Sequence, residues 1–286
     1  MPFACVNGIR LHYYRRGRGP DVVMVHGLAA SLAFWYLAIV PRLAGEFCVT
    51  AYDLRGHGQS DMPPCGYDQA TMCADLAALV NQLDLGQFDL VGHSFGGLVA
   101  LQYAVAHPER VRSLTLADVP LWTPKRIDRA HELRRWALLR RQLMQCGVTV
   151  PARMPSQPYP LLQELAAPHL ARVRRSLSKR RFLPFGLWNG STRAADRWLE
   201  LLRTTSALNE VDFSPEVTLQ RARICTPPIL LIFGELSRWI GACHLVSKIL
   251  PNCRTVIVSE AGHFHPFQRP DLFASHLREF LLRAAS

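Results

Sequence analysis

Short apolar runs alternate with longer amphipathic stretches over the first 120 positions, and the same alternation returns after position 228. Val6 to Tyr14 reads as a strand pair folded around Asn7-Gly8, a dipeptide that accepts the positive φ of a tight hairpin. Val22 to Val25 and Phe47 to Tyr52 are near-continuous apolar runs of strand length. A helix is predicted from about Gln69 to Leu83, then a strand at Phe88 to Val91, a helix over Leu98 to Ala104 and a strand from Val111 to Ala117. Further on, Pro228 to Phe233 and Thr255 to Val258 predict strands, and Cys243 to Leu250 and Pro270 to Ala284 predict helices. Strands and helices in this alternation predict an α/β fold, a mostly parallel, doubly wound sheet covered on both faces. A ligand site is then expected beyond the C-terminal ends of the strands.

The alternation stops between about Pro120 and Ala222. That stretch reads as several amphipathic helices broken by prolines, among them Pro151, Pro155, Pro158 and Pro160. It lies between strands of one sheet, so it predicts a helical lid rather than an independent domain. The expected organisation is a core of residues 1–119 and 223–286 with a helical cap at 120–222, inserted after the sixth strand.

Candidate chemistry concentrates at the predicted strand ends. Gly92-His93-Ser94-Phe95-Gly96-Gly97 stands between a strand and a helix with a serine at its apex. A G-x-S-x-G turn there strains the serine backbone and needs glycine on both flanks, because a side chain would clash. It lifts the hydroxyl above the sheet with a helix N-terminus behind it. A serine hydroxyl is a poor nucleophile until a base takes its proton. Gly262-His263-Phe264, just past the last predicted strand, supplies the candidate; His265, two residues on and before Pro266, is its competitor. A tetrahedral intermediate also needs two backbone donors. Phe95 offers one, and Leu28 in His26-Gly27-Leu28-Ala29 is the choice for the second.

Five motifs in this order carry a resemblance: His26-Gly27, Asp53-Leu54-Arg55-Gly56-His57-Gly58-Gln59-Ser60, Gly92 to Gly97, Ala106-His107-Pro108-Glu109-Arg110-Val111 and Gly262-His263-Phe264. Across nearly its whole length the chain resembles the α/β-hydrolase fold superfamily, in its serine-nucleophile, esterase-like branch with a helical cap. The resemblance implies that Ser94 and His263 are catalytic, that the His26-Gly27 turn forms part of the oxyanion hole, and that Asp53 to Ser60 is structural. It also implies an aspartate three residues after the glycine ending the seventh strand. Here the stretch reads Gly234-Glu235-Leu236-Ser237, so that position is a serine, which cannot carry the charge that stabilises an imidazolium. Asp118, at the end of the sixth strand, is the first choice for the acid, and Glu235 is the alternative. Haloalkane dehalogenases and epoxide hydrolases resemble the chain too, but they attack with an aspartate. Ser94 therefore points to cleavage of an ester, thioester or amide, with a non-hydrolytic lyase or cyclase on the same fold, or a non-catalytic binding member, as the alternatives.

Composition narrows the partners. With 286 residues, 49% hydrophobic and 19% charged, the chain is a folded globular protein. Its eight cysteines form no C-x-x-C pair and no zinc-like spacing, which predicts free thiols in a reducing cytoplasm, no metal and no cofactor. Residues 1 to 7 lack the pattern of a leader, and Ile229 to Phe233 has the length of a buried strand, not of a membrane span. The net charge of +11 is localised: Leu121 to Ile224 holds 19 Lys+Arg against 8 Asp+Glu, and the remainder is balanced. Arg172, Arg174, Arg175, Lys179, Arg180 and Arg181 form the densest run. A solvated helix face is the plain explanation of such a run. The sharper one is that Arg174, Arg175, Arg180 and Arg181 dock something acidic, such as an acyl carrier protein or a carboxylate-bearing small-molecule acyl substrate. No nucleic-acid-reading motif accompanies the charge. Trp122, Trp136, Leu138, Leu139, Phe182, Phe185, Leu187 and Trp188 are the expected lining of an apolar acyl pocket.

Overall fold

Apolar runs along the chain become strands β1 (Phe3–Val6), β2 (Ile9–Arg16), β3 (Asp21–Val25), β4 (Cys48–Tyr52), β5 (Phe88–His93), β6 (Val111–Ala117), β7 (Ile229–Gly234) and β8 (Cys253–Val258). They form an eight-stranded sheet in the order β1-β2-β4-β3-β5-β6-β7-β8 in the computed structural model. The structure describes residues 1–121 and 192–284 apart from 213, 214, 238 and 251, together with positions 137, 140, 141 and 144. The β1–β2 and β2–β4 pairs are antiparallel, and every other pair is parallel. Helices follow in the order α1 (Ala33–Tyr36), α2 (Val40–Leu43), α3 (Gln69–Gln82), α4 (Phe95–Ala106), α5 (Thr192–Thr204), α6 (Ala207–Glu210), α7 (Pro215–Ile224), α8 (Ile240–Val246), α9 (His265–Gln268) and α10 (Pro270–Ala284).

The sheet is buried on both faces because its central strands are mostly apolar, and the side-chain period of two divides their apolar residues between two cores. Val23, Val25, Leu114, Leu116, Ile229, Leu231 and Phe233 point to one face, where Leu76, Leu79 and Val80 of α3 and Leu98, Val99 and Leu101 of α4 cover them. Val22, Met24, Leu230 and Ile232 point to the other, against Phe34 and Trp35 of α1, Val40 and Leu43 of α2, and Phe273, Leu277 and Leu281 of α10. The α3 helix starts where Asp68 accepts a hydrogen bond from Thr71 N at 2.9 Å, a side-chain cap of the first turn.

Of the stretch expected to form the lid, the described part is helical at α5, α6 and α7. Trp198, Leu201 and Leu202 of α5 join the core beside Leu54 and Tyr67. Arg197 Nη2 donates to Ser60 O at 2.7 Å and Gly66 N donates to Glu210 at 2.7 Å, so this segment is tied to the loop after β4. Arg174, Arg175, Arg180 and Arg181, and the expected apolar lining from Trp122 to Trp188, lie outside the described residues. Among the described residues, no helix is long and apolar enough to cross a membrane.

Candidate active site

Ser94 occupies the turn between β5 and α4 with φ 53° and ψ −124°, a conformation a non-glycine residue holds only where its surroundings enforce it. The enforcement comes from close backbone packing. A Cβ added to Gly92 would lie 2.5 Å from Gly97 Cα, and one added to Gly96 would lie 2.3 Å from His26 O, so both flanks must be glycine. Ser94 N donates to Ala117 O at 3.0 Å, which pins the turn to the end of β6. The Gly27-Leu28 turn after β3 is pressed against the serine, since a Cβ on Gly27 would come within 2.9 Å of Ser94 Cβ. Leu28 therefore follows directly on the turn that touches Ser94, and Phe95 opens α4 behind it.

That turn is shaped by a buried histidine. Leu54 N donates to His26 Nε2 at 3.0 Å, so Nδ1 carries the ring proton and donates it to Gly27 O at 2.7 Å. Burial pushes the His26 pKa down, keeping the ring neutral in that tautomer. Asp53, at the end of the neighbouring strand β4, has a similar bracing role. Its Oδ1 accepts from Leu32 N at 2.6 Å, and its Oδ2 accepts from Gln59 N at 2.9 Å and meets His12 Nδ1 at 2.7 Å. Its partners are thus backbone groups and a histidine of β2.

Asp118 ends β6 with φ 50° and is fully buried. Its Oδ1 lies 3.0 Å from His263 Nδ1 and also accepts from Ser237 Oγ, and its Oδ2 accepts from Gly234 N at 3.1 Å. Burial pushes this carboxyl up, but the hydrogen bond and charge of His263, the nearby His265 and the Ser237 hydroxyl outweigh it, leaving the pKa below the ordinary carboxylate range. His263 is held from a second side. His93 Nε2 donates to the His263 carbonyl at 2.8 Å, and the two rings lie 4.7 Å apart. His93 is buried and stacked on Phe34 at 4.5 Å, and burial takes its pKa well below the usual histidine range. It is a fixed donor beside Ser94.

The structure thus brings Ser94, Asp118 and His263 to the C-terminal ends of β5, β6 and β8 and leaves Glu235 elsewhere. Glu235 is exposed, and its Oε2 accepts from Glu260 N at 2.9 Å across the turn that follows β8. His265, the competitor for the base, is fully buried at the start of α9 against Phe273, with Nε2 3.8 Å from Asp118 Oδ2. Burial drives its pKa down to about 4, so it faces Asp118 Oδ2 as a neutral ring, while His263 meets Oδ1. Sequence reasoning missed His93 and the contribution of Ser237. His93 stood in the serine motif as a variable position, and no spacing signal links residue 237 to residue 118.

Residues 20–270 match the family described as alpha/beta hydrolase fold. Over 116 residues the chain is 38% identical to a soluble epoxide hydrolase from Corynebacterium sp. (strain C12), a match covering 41% of this chain and 40% of that enzyme. The chain therefore spans well under half the length of that relative. Over 279 residues it is 27% identical to 2-(acetamidomethylene)succinate hydrolase from Mesorhizobium japonicum, covering 96% of this chain and 93% of that one. Among solved structures, a thermophilic esterase from Thermogutta terrifontis superposes with a TM-score of 0.65 at 24% identity, covering 99% of this chain and 97% of the other, a likeness of fold. With its sheet order, its serine turn and a family match over nearly its whole length, the chain belongs to the α/β hydrolase fold family.

Proposed function

We propose that the protein is a serine hydrolase that cleaves a carboxylic ester or thioester through an acyl-enzyme, without a cofactor. The observation that carries the reading is the buried Asp118 carboxylate on His263 Nδ1 at 3.0 Å, one strand away from a serine on a strained turn. In this reading Ser94 Oγ attacks the carbonyl carbon while its proton passes to His263 Nε2. The backbone N–H groups of Leu28 and Phe95 hold the oxyanion. Collapse of the tetrahedral intermediate breaks the bond to the leaving alcohol or thiol, which takes the proton back from Nε2. Water then attacks the acyl-enzyme with His263 again as base, releasing the acid and restoring Ser94. Asp118 keeps the Nδ1 proton in place and balances the imidazolium. A serine in place of an aspartate at position 94 favours this acyl chemistry over the epoxide opening named for the Corynebacterium relative.

A carboxylate-bearing or carrier-protein-bound acyl group is the substrate class we favour. It is supported by the excess of basic residues between Leu121 and Ile224 and by the Mesorhizobium relative, whose name gives a succinate derivative as its substrate. Free cysteines at 5, 48, 65, 73, 225, 243 and 253 support a reducing cytoplasm as its place of action. The deciding experiment is Ser94→Ala with p-nitrophenyl acetate and a fluorophosphonate probe. Both turnover and covalent labelling should disappear; unchanged turnover would sink the mechanism.

A further inference from the structure

The position where the resemblance implies the acid holds Ser237, buried against the carboxylate that stands one strand away. Asp118 is fully buried, and a buried carboxylate stays ionised only when donors replace its lost water. His263 Nδ1 and Ser237 Oγ share Oδ1, while Gly234 N serves Oδ2. The direction of the Ser237 bond follows from its other partner. Trp239 N donates to Ser237 Oγ at 3.0 Å, so the hydroxyl's single proton is left for Asp118, which as a carboxylate has none to give.

We propose that Ser237 is a positioning residue that fixes the rotation of the Asp118 carboxylate and draws charge from the oxygen facing His263, an inference that rests on Asp118 being the orienting acid of Ser94 and His263. Two consequences follow from removing the hydroxyl. The negative charge on Oδ1 is less shared, which stabilises the protonated base and moves the acid limb of the kcat/KM profile to higher pH. The carboxylate also loses a restraint on its rotation, and kcat falls. Three other titratable groups face the pair: His265 from α9, His93 from β5 and Cys243 from α8. Burial takes His265 down to about 4, His93 well below the histidine range and Cys243 up to about 12. None of them changes charge near neutrality, so the limb is not theirs.

The test is the pH profile of p-nitrophenyl acetate hydrolysis for wild type, Ser237→Ala and Ser237→Thr, with Ser94→Ala and Asp118→Asn run beside them. A hydrogen bond to a charged group is among the stronger ones, so Ser237→Ala should lower kcat about tenfold and raise the acid limb by roughly half to one pH unit. Ser237→Thr, which keeps the hydroxyl, should return both towards wild type. An unmoved acid limb in Ser237→Ala, or a threonine variant no better than alanine, overturns the proposal. Should the alanine variant fail to fold, Ser237→Cys keeps the volume with a weaker donor, and its acid limb must move in the same direction or the proposal fails. Wild-type turnover in Ser94→Ala would instead overturn the serine-hydrolase reading itself, and in Asp118→Asn the assignment of the acid on which the proposal rests.

Discussion

Asp118→Asn removes a charge while keeping the side-chain volume, and the surroundings of the carboxylate allow its effect to be worked out. Asp118 accepts from three donors, two on Oδ1 and one on Oδ2. An amide offers one accepting and one donating end. With its oxygen towards His263 and Ser237, its NH2 opposes Gly234 N, a buried donor-to-donor contact worth about 1–3 kcal/mol of lost stability. Turned the other way, it opposes the Ser237 hydroxyl and forces the His263 ring to carry its proton on Nε2, where it can no longer take one from Ser94. The first orientation mismatches fewer groups, so the fold should survive with a moderate loss. In both, the imidazolium that the proposed mechanism forms in the transition state would have no counter-charge. The corresponding loss in serine hydrolases of this layout is about 10⁴ in kcat, or about 5.5 kcal/mol of transition-state stabilisation. Initial rates with p-nitrophenyl acetate, paired with a thermal melt to establish folding, measure it. Glu235→Gln should stay within about twofold of wild type, because its carboxylate serves Glu260 N on the surface and touches neither ring. A folded Asp118→Asn within tenfold of wild type, or a Glu235→Gln that loses activity, would refute the assignment.

Gly96→Ala should abolish soluble expression or lower stability by about 3 kcal/mol or more, since its Cβ would lie 2.3 Å from His26 O and 2.6 Å from Val25 O, backbone atoms that cannot step aside; a thermal melt like that of wild type would contradict this packing. His57 and His265 are buried and neutral, taken down chiefly by burial to about 3 and about 4. The unfolded chain protonates these residues below about pH 6.5 while the folded chain does not, so it binds more protons and stability falls as pH drops from there towards 4. Urea midpoints that stay flat down to about pH 4.5 would rule this out. If the basic segment steers an anionic substrate, kcat/KM for a carboxylate-bearing ester should fall severalfold as salt rises from about 20 to 500 mM, while that of a neutral ester holds. Equal salt dependence for the two would leave the arginines as a solvated face.

The sequence exposed the sheet more readily than the site. A strand such as Ile229–Gly234 is apolar throughout because it is buried on both faces, so it stands out against any neighbour, and Val111–Ala117 keeps enough apolar positions around Arg112, Ser113 and Thr115 to read the same way. The predicted helix at Cys243 to Leu250 sits earlier in the structure, at Ile240–Val246, because an apolar run gives the face of a helix better than its ends. The one-turn helices Ala33–Tyr36 and Val40–Leu43 left no signal, being too short for a period to show. At the site, Ser94 was legible from glycines that its own turn requires. Asp118 ranked ahead of Glu235 as the acid, but the sequence left both open, because that choice depends on which side chain reaches residue 263, nearly 150 and 30 positions away. His93 and Ser237 act only through such convergences.

The order of the strands explains why the proposed acid can stand where it does. β5, β6, β7 and β8 are consecutive neighbours, all parallel, so their C-terminal ends form one row. Ser94 follows β5, Asp118 follows β6, Ser237 lies in the turn after β7, and His263 lies in the turn after β8. Asp118 N donates to Ile232 O at 3.0 Å, which continues the β6–β7 ladder past the strand end and aims the carboxylate into the gap between β7 and His263. A carboxylate from either β6 or the β7 turn can therefore enter that gap, but the gap admits one. Two buried carboxylates in hydrogen-bond contact would force one to hold a proton, and the acid would lose the charge on which its role depends. With Asp118 in place, position 237 is left for a small neutral donor, and a serine meets that requirement.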